Sequence, residues 1–336
     1  MELTLSPYRL ELAHTFSISR ESHDFQDSLV VSLSHKGKTG YGEATSNAYY
    51  HITSASMAKE IGAHKVAVES HLFLNPTVFY SFIKKLGLSN FSLCALDLAA
   101  WDLYGKILQK PLYQIWKTKL DHYPTTNYTI GIDSIDKMLA KMEEKPWPIY
   151  KIKLGTKEDV AIVKALREKT SAVFRVDANC AWGVQETIDN GVALKKLGVE
   201  FIEQPMAAAE WEGMKRVYEK SVLPLMADES CLVPEDVSKC VGHFHGINIK
   251  LTKCGGLSPA LKMIQEAKSL GLKTMVGCMT ESSVGISAIA QLLPQLDFVD
   301  MDGALLLKND IAKGVVINSQ AAVIFPSLGG SGIELL

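Results

Sequence analysis

Val173-Phe174-Arg175-Val176-Asp177, Val199-Glu200-Phe201-Ile202-Glu203 and Leu223-Pro224-Leu225-Met226-Ala227-Asp228 are three short apolar runs, each closed by an acid, at intervals of 26 and 25 residues. Each run reads as a buried strand with a carboxylate at its tip. Carboxylates are rarely sealed into a core unless they are paired or bound to metal. One strand-end acid serves equally well as a cap for the next helix, but three in successive units strain that explanation. Converging carboxylates repel one another unless a cation sits among them, and hard oxygen donors suit Mg²⁺.

The same rhythm extends outward from these runs. Strands are expected at 125–130, 148–153, 173–177, 199–203, 224–228, 246–250, 273–277 and 297–300, separated by helical patterns such as Glu158–Lys169, Gln185–Leu197 and Pro259–Leu270. Eight strands alternating with helices predict an α/β fold, a parallel (β/α) barrel of TIM type. A doubly wound open sheet is the alternative, but no GxGxxG follows the first strand. The first 122 residues read differently, as an α+β block. Leu3 and Leu5, then Tyr8, Leu10 and Leu12, alternate as a half-buried strand broken at Pro7. Lys36-Gly37-Lys38 lies between two apolar runs as a hairpin turn, and helical patterns follow at 54–71, 76–85 and 91–109. The division expected is a capping domain at 1–122, a barrel at 123–310 and a tail at 311–336 that returns to the cap.

The formal net charge of −2 gives no electrostatic case for nucleic acid or an anionic membrane, and no apolar stretch approaches the length of a membrane span. The N-terminus lacks the basic start and apolar run of a signal peptide. Six scattered cysteines without metal-ligand spacing read as reduced thiols, which fits a reducing cytoplasm. The oligomeric state is left open, a homo-oligomer included.

Barrel sites gather at the C-terminal strand ends, and polar residues recur there. Lys151 and Lys153 share one face of the second strand, with Ile152 on the other. Mutual repulsion, and a nearby dication, are expected to lower lysine pKa values toward those of a general base. A pair of exposed lysines on an edge strand is the plain alternative. Asn248 and Lys250 share a face of the sixth strand, which lies opposite the second in an eight-stranded barrel. Lys153 and Lys250 are therefore expected to face each other, able to take a proton from one side of a carbon and return it from the other. Lys253, beyond the strand, reads as solvated. Asp300 and Asp302 share a face of the last strand, far in strand order from the acidic trio, and suit a cationic group such as an ammonium, unless one of them caps the next segment.

Lys151-x-Lys153, Asp177-Ala178-Asn179, Glu203-Gln204-Pro205, Asp228-Glu229-Ser230 and Lys250-x-x-Lys253-x-Gly255-Gly256 together resemble the enolase superfamily, in particular its muconate-lactonizing subgroup. The likeness spans nearly the whole chain, and Ala95–Leu103 resembles the long helix of that family's cap. It implies a modified (β/α)7β barrel with an N-terminal α+β capping domain, a metal site at Asp177, Glu203 and Asp228, and proton transfer through an enediolate by lysine bases with Mg²⁺. By the same likeness Lys153 and Lys250 are the bases, Lys151 stabilises charge, and Asn179 and Glu229 orient ligand or lysine. Asp300-x-Asp302 and Thr129 resemble the substrate-binding residues of the dipeptide epimerases. The strand-seven sequence Gly277-Cys278-Met279-Thr280-Glu281-Ser282 departs from the epimerase pattern, placing Cys278 where the dipeptide's C-terminal residue is held. The activity implied is Mg²⁺-dependent epimerisation of Ala-Xaa dipeptides at the C-terminal residue. Substrate choice is assigned to two cap loops, 15–26 and 45–53. Arg20 in the first would hold an acidic side chain, as in L-Ala-D/L-Glu epimerases, or be an ordinary loop arginine. Tyr49 and Tyr50 in the second favour apolar side chains. N-acylamino acid racemase and o-succinylbenzoate synthase remain the alternatives.

Overall fold

The computed structural model describes residues 1–17 and 22–336. Strands β1 (Glu2–Ser17), β2 (Ser22–His35) and β3 (Lys38–Thr45) form an antiparallel sheet in that order. The β2–β3 turn falls at Lys36 and Gly37, both with positive φ, as a tight two-residue hairpin requires. Pro7 does not break β1: it pairs in register with Leu29. β1 is the sheet's edge, where a residue without an N–H is tolerated. The change of phase in the apolar pattern has another cause. Leu3 and Leu5 pack on the cap core, whereas Leu12 bridges to Leu307 beyond the barrel's last strand.

Four helices cover the sheet: α1 (Ser54–Ala63), α2 (Lys65–Ser70), α3 (Pro76–Ile83) and α4 (Asn90–Leu108). The helix expected at 54–71 is interrupted at His64. α4 is almost wholly buried, between β3 and the barrel. Gly40 and Gly42 make that contact possible, because a Cβ on either would collide with the α4 main chain at Ala99 and its neighbours.

The second sheet is a parallel barrel of eight strands: β4 (Tyr128–Ile130), β5 (Ile149–Lys153), β6 (Val173–Asp177), β7 (Val199–Glu203), β8 (Leu225–Ala227), β9 (Gly246–Lys250), β10 (Lys273–Gly277) and β11 (Phe298–Asp300). Helices join successive strands except between β8 and β9, where short 3-10 turns span 234–240. This is the (β/α)7β barrel with its α+β cap. Outward residues such as Ile152, Val176, Ile202 and Ile249 pack on the helices. Inward residues plug the barrel floor with Phe201, Met226, Met275 and Phe298, and the Arg175 guanidinium lies 5.3 and 5.2 Å from the two phenylalanine rings. Above this plug the inward positions turn polar.

Among the described residues no backbone ladder joins β11 to β4. Side chains close the seam instead. Asn127 Nδ2 donates to Asp300 Oδ1 at 2.7 Å, the Thr129 N–H donates to Asp302 Oδ2 at 2.5 Å, and Thr126 Oγ1 accepts from the Met301 N–H at 2.9 Å. The tail forms two short ribbons and meets the end of α4, where the Ser331 N–H donates to Asp102 Oδ1 at 2.8 Å. Among the described residues no helix is long and apolar enough to cross a membrane.

Candidate active site

The tips of β6, β7 and β8 bring Asp177, Glu203 and Asp228 together, with one ligand oxygen from each within 4.8 Å of the others and all three buried. The local chain is strained to achieve this: Asn179, Cys180 and Gln204 take positive φ without being glycine, at about 1–3 kcal/mol each. Hydrogen bonds hold the strained turn. Gln204 Oε1 accepts the N–H groups of Asp228 and Ser230 at 2.9 and 3.1 Å, and its Nε2 donates to Met206 O and Ser230 Oγ, both at 2.8 Å.

Four lysines face these acids. Lys151 Nζ lies 2.9 Å from Glu203 Oε2, 3.1 Å from Asp177 Oδ2 and 2.8 Å from Asp300 Oδ2. Lys153 pairs with Asp177 at 2.7 Å and Lys250 with Asp228 at 2.9 Å. Lys253 is not solvated as its position beyond the strand suggested: it is 3% exposed and donates to both the main-chain oxygen of Asp228, at 2.8 Å, and its carboxylate. A short helical turn at Leu251–Cys254 folds the chain back to place it there.

The charges decide the protonation states. Burial works against the Lys151 ammonium, but Asp300, Glu203 and Asp177 outweigh it and hold its pKa well above the ordinary lysine value. Lys250 is likewise raised, against burial, chiefly by Asp228. For Lys151 this is opposite to the depression expected from repulsion by Lys153, because three carboxylate oxygens lie within 3.1 Å of its Nζ. Burial opposes the ionised forms of Asp177 and Asp228 too, yet their lysine partners lower both. Glu203 is pushed up to about 7, by burial first and then by Asp177. Lys151 Nζ stands beside Glu203 Oε2 without a directed hydrogen bond to it, so this buried oxygen keeps acceptor capacity. Three hard oxygen donors, one of them under-satisfied, fit a divalent cation such as Mg²⁺.

A cavity of about 430 Å³ lies between barrel mouth and cap. Lys151, Lys153, Asp228 and Lys250 reach it from the barrel, as do Asn179 and Glu229. The Asn179 N–H donates to Asp177 Oδ1 at 2.9 Å, and Glu229 contributes charge near Lys250. Thr129, Cys278, Asp300 and Asp302 form the far wall, with Cys278 Sγ 4.0 Å from Asp302 Oδ1. Asp300 is not remote from the acidic trio, as strand order implied: closure of the barrel brings β11 round to β4 and β5, and Lys151 bridges Asp300 to Asp177 and Glu203. The cap adds Asn47, Tyr49 and Tyr50 from the expected loop at 45–53, and Phe16 and Phe25, which lie on the paired strands β1 and β2 rather than in a loop. Arg20 lies outside the described residues.

Two features escaped the sequence reading. Asn248, whose face was legible, donates from Nδ2 to Glu203 Oε1 at 2.7 Å. Glu43 and Glu281 are buried acids at the cap–barrel joint, and Glu43 accepts from Ser28 Oγ, Ser282 Oγ and the Gly285 N–H at 2.8, 2.6 and 3.0 Å.

Comparison with known proteins agrees with this architecture. Residues 2–116 match the mandelate racemase / muconate lactonizing enzyme N-terminal domain, and residues 134–336 match the enolase C-terminal domain-like family. The chain belongs to this enolase-superfamily group and is an enzyme of the isomerase class. An L-Ala-D/L-amino acid epimerase from Maribacter sp. is 66% identical over 335 residues, covering 100% of this chain and 99% of that protein. A substrate-liganded complex of the L-Ala-D/L-Glu epimerase from Bacillus subtilis superimposes with a TM-score of 0.94 at 27% identity, covering 99% of this chain and 98% of that one. A dipeptide epimerase from Enterococcus faecalis V583, solved with Mg and L-Leu-L-Tyr, gives 0.92 at 31% identity, with coverage of 99% and 98%.

Proposed function

We propose that this chain is a Mg²⁺-dependent epimerase of Ala-Xaa dipeptides that inverts the α-carbon of the C-terminal residue, with apolar Xaa favoured. The observation that carries the reading is the pairing of Lys153 with Asp177 and of Lys250 with Asp228, two lysines from opposite strands that line one cavity with the acidic trio between them. The names of the relatives support the substrate class.

Asp177, Glu203 and Asp228 would hold the cation. A dication bound there would supply positive charge to the substrate carboxylate and, by taking oxygens from Lys153 and Lys250, lower the cost of deprotonating a lysine. One lysine removes the α-proton and the other delivers a proton to the opposite face. Lys151 stays charged and stabilises the negative charge that develops on the carboxylate. Asn179 and Glu229 orient the acids and Lys250. Asp300 and Asp302, with Thr129 beside them, receive the ammonium end and fix its distance from the reacting carbon, and Cys278 borders the dipeptide's C-terminal residue. That leaves the cap side for the Xaa side chain, where Phe25, Tyr49 and Tyr50 offer aromatic surface. The division into a cap at 1–122, a barrel at 123–310 and a returning tail belongs to the same reading, as does a reducing cytoplasm, which six free thiols suit.

An L-Ala-D/L-Glu epimerase would need a cation for the acidic side chain, the role open to Arg20. An N-acylamino acid racemase or o-succinylbenzoate synthase would leave Asp300 and Asp302 without a cationic partner in the substrate. Screening a dipeptide library for α-proton exchange in D₂O tests the proposal. Exchange at the C-terminal residue of alanyl dipeptides with apolar Xaa supports it. Exchange confined to Ala-Glu, or to N-acylated amino acids, replaces it.

A further inference from the structure

Lys153 and Lys250 stand at the ends of strands whose following turns are held by different parts of the molecule. After Lys153 the hold is internal to the barrel. Buried Asp159 accepts the N–H groups of Gly155 and Thr156 at 2.9 and 2.8 Å, and Trp182 Nε1 donates to its Oδ2 at 2.8 Å. After Lys250 the chain turns at Leu251–Cys254, reverses through Gly255 and Gly256, both with positive φ, and enters the helix Leu257–Ser269. Gly256 is the N-cap residue of that helix and has no side chain to meet its first N–H groups. The cap supplies the missing acceptor: Asp97 of α4 takes the Ser258 N–H on Oδ2 at 2.8 Å and the Ser258 hydroxyl on Oδ1 at 2.7 Å. Asn90 and Trp101 share the Asp97 face of α4. Asn90 Nδ2 donates to the main-chain oxygen of Lys253 at 2.7 Å, and Trp101 Nε1 to Ser258 Oγ at 3.0 Å. The approach is close, since a Cβ on Gly256 would lie 2.5 Å from Asp97 Oδ2. The gripped segment begins at the residue after Lys250 and carries Lys253, whose ammonium meets Asp228 beside that of Lys250.

We infer that helix α4 of the cap positions Lys250, through Asp97 and Asn90, whereas the barrel itself positions Lys153, through Asp159. This rests on the two-base epimerase reading and deepens it: the two faces of the reacting carbon are served from two domains. Asp97 and Asn90 touch neither substrate nor metal ligands in this scheme. They fix the turn that leaves β9, and so the direction in which Lys250 enters the mouth. A reacting group displaced by about 1 Å can lose on the order of a hundredfold in rate. Loosening one turn should therefore slow proton transfer at one face of the carbon and spare the other, which a general loss of stability would not do.

The test follows α-proton exchange by proton NMR in D₂O, with the full-length Mg²⁺-loaded enzyme and each diastereomer of an alanyl dipeptide that is a substrate. K250A and K153A mark which diastereomer each lysine serves. D97N and N90A should slow exchange of the Lys250 diastereomer about tenfold or more and leave that of the Lys153 diastereomer within about threefold of wild type. D159N should do the reverse. N90A leaves the Asp97 contacts in place, so it carries the test if D97N does not fold. Equal slowing of both diastereomers in D97N and N90A would make α4 a support of the fold alone and overturns the inference, as does unchanged exchange of both, or slowing of the same diastereomer by D97N and D159N. A wild-type enzyme that exchanges no dipeptide overturns the epimerase reading itself, a result distinct from these.

Discussion

Replacing Lys253 with methionine removes a buried ammonium while roughly keeping the side-chain volume. Lys253 and Asp228 are 3% and 1% exposed, and the lysine donates to two oxygens of the same aspartate. Breaking one side of a buried ion pair costs about 3–5 kcal/mol. Lys250, 2.9 Å from the other Asp228 oxygen, remains as a counter-charge, so the loss should fall at the low end, about 3 kcal/mol. In a chain of 336 residues that lowers the melting midpoint by roughly 4 °C. The pH dependence has a defined sign. Burial opposes ionisation of Asp228, but its lysine partners depress its pKa in the folded state. The stability it contributes is therefore present above the unfolded aspartate value near 4 and is lost as pH falls through the folded value. K253M should show its full deficit at pH 7, and the deficit should shrink as the solution is acidified below about 4. Thermal melts at one scan rate, with chelator present, measure this. A midpoint within about 1 °C of wild type at pH 7, or a deficit indifferent to acid, would mean that Lys253 is solvated after all.

Two more substitutions test the supports of the site. A Cβ on Gly277 would lie 2.7 Å from Asn248 Oδ1 and 2.8 Å from its Nδ2, so G277A should displace the amide that holds Glu203. Mg²⁺ affinity by calorimetry should then fall about 10- to 100-fold, and unchanged affinity would show that Asn248 does not orient the ligand. Glu281 is pushed up to about 8 by burial and by Glu43. Between the unfolded glutamate value and pH 8 the native state keeps a proton that the unfolded chain has lost, so stability falls as pH rises through that window, by on the order of 5 kcal/mol in all. E281Q abolishes this term: its melting midpoint should match wild type near pH 5 and exceed it at pH 9, whereas parallel curves would refute the assignment.

The barrel and its lysine–carboxylate mouth were legible because period-two alternation and strand-end acids are local signals. Lys151, Lys153, Asn248 and Lys250 could each be assigned a face from the strand they occupy. What stayed hidden depends on how distant segments meet. Lys253 reads as a solvated lysine until the turn at Leu251–Cys254 folds it onto Asp228. Asp300 looks remote from the trio until the barrel closes and Lys151 spans the gap. Glu43 follows Gly42 and precedes Ala44 on β3 with nothing local to mark it, and its barrel partners, Ser282 and Gly285, lie 239 and 242 residues away. Pro7 was misread for a related reason, since only the sheet order shows that its strand is an edge.

The proposed proton transfer requires Lys153 and Lys250 to serve opposite faces of one carbon. Proton NMR in D₂O, with each diastereomer of an alanyl dipeptide that is a substrate and with the K153A and K250A variants, tests it directly. Both variants should lose epimerisation, and each should still exchange the α-proton of one diastereomer, the two variants on opposite ones. Full epimerisation by either variant, or exchange of the same diastereomer by both, would contradict it.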